Sequence, residues 1–157
     1  MKKNKKKRNN IITNKKAYYN FFIEKTIESG LILRGWEVKS IRLKKINITN
    51  SYLSFRNNEI YLIGINIEPF LKSNIYTDYQ KNRPIKVLLN KREINFLYGK
   101  FKTIGYSLIA TSLYWKEAWC KLEIGIAKGK QKKDKRTTIK NREWERKKSK
   151  LFKRILT

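Results

Sequence analysis

Glu24, Glu28 and Cys120 are the groups in this 157-residue chain that an enzyme would most readily use. Paired carboxylates can share acid and base work when they face one another across a substrate. Here they lie four apart in AYYNFFIEKTIE (Ala17 to Glu28), a stretch rich in aromatic and β-branched residues that reads as a strand. On a strand both would face one side as spaced surface charges. Histidine is absent, which removes the commonest general base and the commonest metal ligand. No Walker loop, GxSxG elbow or metal-spaced cluster occurs. Asp134 sits among lysines and reads as a charge partner. The sequence therefore carries no catalytic constellation, and neither a metal nor a cofactor is expected.

The chemistry that remains is that of cations, glycines and aromatic rings. Between Leu113 and Arg136 the pattern LYWKEAWCKLEIGIAKGKQKKDKR passes from alternating apolar and polar residues to lysine, glycine and arginine. Its centre, GIAKGK, contains Gly125, Lys128, Gly129 and Lys130. Two readings stay open: a strand end turning on a glycine, or backbone brought close to a phosphate that the lysines neutralise. Trp36, Tyr114, Trp115 and Trp119 could fill a core or stack on unpaired bases. Trp144 lies in the basic tail with no core to join, the position of an interface anchor.

The net charge is +27 and it is uneven. Residues 1–16 hold eight bases and no acid, and residues 128–157 hold fourteen bases against Asp134, Glu143 and Glu145. Between them seventeen bases face nine acids, a balance that folds, whereas like charges in short terminal runs repel until a polyanion arrives. Nucleic acid, an anionic membrane or an acidic protein would each satisfy such ends. Neither end opens as a broad amphipathic helix, the N-terminus lacks the apolar segment of a signal peptide, and no run approaches a membrane span. The reading is a cytoplasmic protein without a membrane partner. A single cysteine leaves the fold to rest on its core.

The positioning elements follow from this pattern. Residues 1–13 read as a disordered basic N-terminus, 14–129 as one folded domain and 130–157 as a basic tail. After the strand at Ala17 to Glu28, LILRGWEVKSIRLKK (residues 31–45) has near-helical apolar spacing. SYLSFRN and EIYLIGINI form a hairpin turning on Asn57 and Asn58, since asparagine tolerates the left-handed conformation of tight turns. Residues 70–83 read as a loop. Pro84 then opens an extended piece running into a helix capped by Asn90. GYSLIATSLYW and AWCKLEIGIAKG are a last pair of long strands joined at Lys116 and Glu117. Four or five antiparallel strands with few helices give a mainly β fold with flanking helices, a small OB-fold-like barrel. From Thr137 onward Leu151 and Ile155, then Phe152 and Leu156, repeat at helical spacing beneath a coat of cations. Such a helix is marginal alone in water, so the tail is expected to be disordered when free and helical in a complex.

Five stretches carry a family resemblance: NKKAYYNFFIEKTIESGLILRGWEVKSIR, NITNSYLSFRNNEIYLIGINIEP, VLLNKREINFLYGK, SLYWKEAWCKLEIGIAKGKQKKDKR and TIKNREWERKKSKL. Collinear from Asn14 to the C-terminus, they resemble SmpB, the family of small proteins that bind transfer-messenger RNA (SsrA) in bacterial ribosome rescue. The resemblance implies a barrel with flanking helices and trans-translation as the function, the alternative being a general barrel-type RNA-binding or ribosome-associated protein. It implies that Asn14, Glu28, Leu88 and Lys121 grip the RNA, with Lys15, with Trp36 and Lys39 of GWEVKS, and with Gly125, Lys128, Gly129 and Lys130 close by. It further implies that Lys133, Asp134, Lys135 and Arg136 enter the small-subunit decoding region. Arg142, Trp144, Lys147, Leu151 and Phe152 would then line a helix in the empty mRNA path. Alanyl-tRNA synthetase and elongation factor Tu are implied as indirect partners of a monomer. In the family a histidine usually precedes the Asp-Lys-Arg triplet. Lys133 stands there in this chain and offers charge but no imidazole stacking.

Overall fold

The computed structural model describes residues 8–69 and 82–155. Its first strand, β1 (Arg8–Thr13), corrects the expectation of a disordered segment through residue 13. Ile11 and Ile12 in it pack against the core, and the strand pairs with a later one along its length. Residues 1–7 of that segment lie outside the described residues. Asn14 ends the strand: its Oδ1 accepts from the Ala17 amide at 3.0 Å and caps α1 (Lys15–Asn20). Ala17 to Asn20, expected as the start of a strand, are therefore helical, and β2 (Phe21–Leu31) begins only after them. The alternation of Tyr19, Phe21 and Ile23 straddles two elements.

The expected helix over residues 31–45 is shorter in fact, because Leu31 still belongs to β2. What remains is α2 (Gly35–Arg42), begun where the Glu37 carboxylate accepts from the Arg34 amide at 2.7 Å. Next come β3 (Ile46–Asn47), β4 (Tyr52–Arg56), β5 (Glu59–Ile63) and β6 (Asn66–Ile67). Asn57 and Asn58 join β4 to β5 with φ of 48° and 60°, the two left-handed positions of the expected hairpin turn. The expected loop falls largely on residues 70–81, outside the described residues. Then β7 (Ile85–Leu88) leads into α3 (Lys91–Lys102), whose Glu93 carboxylate accepts from the Asn90 amide at 3.0 Å. The long pair is β8 (Tyr106–Lys116) and β9 (Trp119–Gly129), turning at Glu117 with φ 58°. The chain ends in α4 (Lys132–Ile155), the helical form that the sequence reading reserves for the ribosome.

Strand order in the main sheet is β1-β8-β4-β5-β7-β2-β9, and β8 also pairs with β9. That extra pairing closes six strands into an antiparallel barrel, with β1 added outside on the second edge of β8. β3 and β6 form a separate pair, giving nine strands among the described residues where four or five were expected. Ile60, Leu62, Ile85, Leu122, Ile124 and Ile126 fill the barrel, and Leu97 plugs it from α3. A smaller cluster of Ala17, Ile109 and Ala127 lies outside the wall and seats α1. Cys120 points inward, and burial pushes its thiol up to about 12, far from the range of a nucleophile.

Candidate nucleic-acid interface

Strand register decides which of the sequence-selected residues meet. Leu88 of β7 pairs with Gly30 of β2, Gly30 with Lys121 of β9, and Lys121 with Tyr114 of β8. One step along, Glu28 pairs with Glu123, and Glu123 with Ser112. Alternate residues share a face, so Leu88, Lys121 and Glu28 fall in two adjacent rows on the outside of the barrel. Gly30 lies between them because a side chain there would crowd Leu88, whose Cβ is 3.2 Å from the place a Cβ would take.

Glu28 is held from β8. Its carboxylate accepts from the Tyr114 hydroxyl at 2.6 Å and from Lys116 Nζ at 2.7 Å. The hydrogen bond from Lys116, helped by that from Tyr114, lowers the Glu28 carboxyl below its ordinary value against the opposing effect of burial. A carboxylate within this face is thus accounted for: it fixes a lysine. Beside it, Glu123 accepts from the hydroxyls of Thr111 and Ser112, each at 3.1 Å. Tyr114 was expected in a core or stacked on bases and Lys116 in a turn, while Ser112 was not singled out. The tie of Tyr114 and Lys116 to Glu28 was not foreseen. Their i, i+2 spacing in SLYWK was the available signal, though only the β8 register ties it to Glu28. Glu24 is separate, accepting from Tyr106 at the other end of β8, at 2.8 Å. A register shift between Ile23 and Lys25 turns it from the line of Glu28, so the two do not face one side as expected.

Several expected contacts are turned inward. Asn14 is buried, and its Nδ2 donates to the carbonyls of Ile48 at 3.1 Å and Ala110 at 3.0 Å. With Oδ1 spent on the cap, its side chain pins β1, β8 and the segment after β3 together and does not reach solvent. Trp36 is a core residue. Gly125 is buried too, and a Cβ there would sit 2.6 Å from Thr111 Cγ2, so it is a packing glycine and the phosphate reading of GIAKGK loses it. Lys15, Lys39, Lys128 and Gly129 are exposed. Lys130 is half-buried: its amide donates to the Asn20 carbonyl at 2.9 Å, its Nζ donates to the Tyr18 carbonyl at 3.0 Å, and the ammonium lies 4.8 Å from the Phe22 ring centre. It fastens the root of the tail to α1.

In the tail, Asp134 Oδ2 accepts from the Gln131 amide at 3.0 Å and so starts α4, where a negative charge also suits the helix dipole. Trp144 and Leu151, seven residues apart, share one face and are 69% and 59% exposed, so the body leaves that face uncovered. Lys135 is partly covered, and Arg136, Arg142 and Lys147 are exposed. The side chains of Lys133 and Phe152 lie outside the described residues. No group of three or more metal-ligating side chains occurs among the described residues, nor does any helix among them have the length and apolarity to cross a membrane.

The family model for SmpB protein matches residues 11–154. The chain belongs to the SmpB family. Among its relatives, an SsrA-binding protein of Buchnera aphidicola subsp. Acyrthosiphon pisum (strain Tuc7) is 52% identical over 98% of this chain and 94% of that protein. An SsrA-binding protein of Psychrobacter sp. (strain PRwf-1) is 48% identical over 99% of this chain and 98% of that protein. A chain of the solved structure described as "tmRNA-SmpB: a journey to the center of the bacterial ribosome" is 34% identical, with a TM-score of 0.65 over 77% of this chain and 85% of that one. The SmpB resemblance expected from the five stretches is therefore established, as is the mainly antiparallel β fold with flanking helices.

Proposed function

We propose that this SmpB-family protein binds transfer-messenger RNA (SsrA) and, with it, rescues stalled ribosomes by trans-translation. The observation that carries the reading is the family match over residues 11–154, to which the gathering of Glu28, Leu88 and Lys121 on one barrel face adds a place for the RNA. Lys116, held by Glu28, and Lys121 meet phosphates there, while Leu88, half exposed, supplies an apolar surface for a base or sugar. The protein acts by binding, as a cytoplasmic monomer, and not by catalysis. Through the RNA it is an indirect partner of alanyl-tRNA synthetase and elongation factor Tu.

The tail supplies the second half of the reading. With few of its residues covered by the body, α4 is marginal in free solution and is fixed in the empty mRNA channel, Lys133 to Arg136 entering the decoding centre and the Trp144 and Leu151 face lying downstream. A message already in the channel excludes it. The test is competition: immobilised full-length protein should retain transfer-messenger RNA against a large excess of bulk tRNA. Equal displacement by bulk tRNA would overturn the reading in favour of a general RNA-binding protein.

A further inference from the structure

At the barrel end plugged by α3, a cleft of about 410 Å³ is lined by Phe55, Asn58, Lys91, Ile94, Asn95 and Tyr98. We propose that this cleft binds one unpaired RNA nucleotide, on a segment separate from the RNA held beside Glu28. The volume is that of a small-molecule site, and the walls divide as a nucleotide would require. Phe55 and Tyr98 meet edge to face at 5.3 Å and form an aromatic wall, and Tyr98 remains 43% exposed. The Asn58 and Asn95 amides each offer donors and an acceptor, the complement of a base edge. Neither makes a side-chain hydrogen bond within the described residues. Asn58 is set in place by the left-handed turn between β4 and β5.

Charge selects RNA over an apolar peptide. Lys91, Arg92, Lys100 and Lys102 lie on α3 against the one acid Glu93, whose carboxylate is engaged by the Asn90 amide. Lys102 Nζ rests 4.6 Å from the centre of the Tyr98 ring. An exposed contact of that kind is weaker than base stacking, so a base laid on Tyr98 would displace the ammonium toward its own phosphate. Glu28 lies apart from the cleft, although Leu88 of the same face stands only three residues before Lys91. Tyr106 marks the α3 end of β8, where Lys100 covers its ring, and Tyr114 beside Glu28 lies eight residues on, roughly 26 Å along the strand. One nucleotide cannot reach both Glu28 and the Phe55 and Tyr98 wall.

The test uses the full-length protein with a 4-thiouridine-substituted RNA hexamer, cross-linked by light and mapped by peptide mass. Cross-links should fall on the segments holding Phe55, Asn58 and Tyr98, persist when transfer-messenger RNA is already bound, and be displaced by AMP but not by equal inorganic phosphate. Tyr98→Ala, an exposed change, should weaken hexamer binding at this site about 5- to 150-fold, and Asn95→Asp should weaken it with the fold intact by circular dichroism. Retention of transfer-messenger RNA on the Glu28 face reads out separately and should stay unchanged. No cross-link in the cleft, displacement by phosphate as effective as by AMP, or loss of the cross-link once transfer-messenger RNA is bound would each overturn the proposal. So would a cleft that an apolar peptide saturates while AMP leaves it unaltered.

Discussion

Arg83 grips Glu37 with two hydrogen bonds of 2.6 Å, from Nε to Oε1 and from an Nη to Oε2. Glu37 is 1% exposed, and its Oε2 also accepts from the Arg34 amide that begins α2. The same guanidinium donates to the Ile32 carbonyl at 3.1 Å. One ion pair thus ties together the end of β2, the start of α2 and the approach to β7. Removing one partner of such a pair leaves an uncompensated buried charge, which costs about 3–5 kcal/mol. Glu37→Ala and Arg83→Ala should each lower stability by that order in urea titrations, and the double variant should lose clearly less than their sum.

Asn14 acts through the fold. Asn14→Ala strips partners from the Ala17 amide and from the Ile48 and Ala110 carbonyls, and an unsatisfied buried group costs about 1–3 kcal/mol. The melting temperature should fall, while affinity for transfer-messenger RNA, measured well below the transition, stays near wild type. A large affinity loss in fully folded protein would mean that Asn14 turns outward to meet RNA.

Glu28 gives a pH signature with a definite sign. Its carboxyl is lowered in the fold by the hydrogen bonds from Lys116 and Tyr114, so its contribution to stability is present above the ordinary value of 4.5 and is lost as pH falls through the lowered one. Wild type and Glu28→Gln should therefore differ in melting temperature at neutral pH and converge in acid. A gap that is independent of pH would show that the charge is not what Lys116 recognises.

The two glycines of GIAKGK should separate. Gly125→Ala forces a Cβ to within 2.6 Å of Thr111 Cγ2, and overpacking of this kind costs about 1–3 kcal/mol. Nothing lies within 4 Å of a Cβ at Gly129, so Gly129→Ala should be stable. If Gly129→Ala still weakens RNA retention, close approach of RNA backbone at that residue is the remaining cause.

Truncation should begin after Lys130, since that residue belongs to the body. Deleting residues 131–157 should leave transfer-messenger RNA retention intact and abolish rescue in a stalled-translation assay. In full-length free protein, amide exchange over residues 132–155 should outpace that of β8 and β9 by orders of magnitude. If the tail neutralises about six to ten phosphates, ribosome affinity should fall about 10³- to 10⁵-fold between 50 and 200 mM salt.

The pattern of alternation gave away β8, β9 and the β4–β5 hairpin, because their residues face a core on one side and solvent on the other. Local rules also found the start of α3. What escaped was set by distant contacts. β1 reads as a solvated basic run until β8 offers it an edge, and α1 exists because Asn14 satisfies carbonyls 34 and 96 residues away. The site divided in the same way. Glu28, Leu88 and Lys121 were named through the family resemblance, and register then showed them adjacent. Trp36 and Gly125 have residue types that suit either RNA or a core, and only their burial distinguishes the two. The pairing of Tyr114 and Lys116 with Glu28 was illegible in sequence because that partner lies on another strand.

α4 is a rod of 24 residues, about 36 Å long, clamped at one end by Lys130. Geometry makes it a lever: a swing of about 10° at Gln131 carries Ile155 through about 6 Å. The aim of the far tip is therefore governed by the few atoms that seat the near end on Tyr18, Asn20 and Phe22. Sequence changes around α1 should misdirect the tip without touching it.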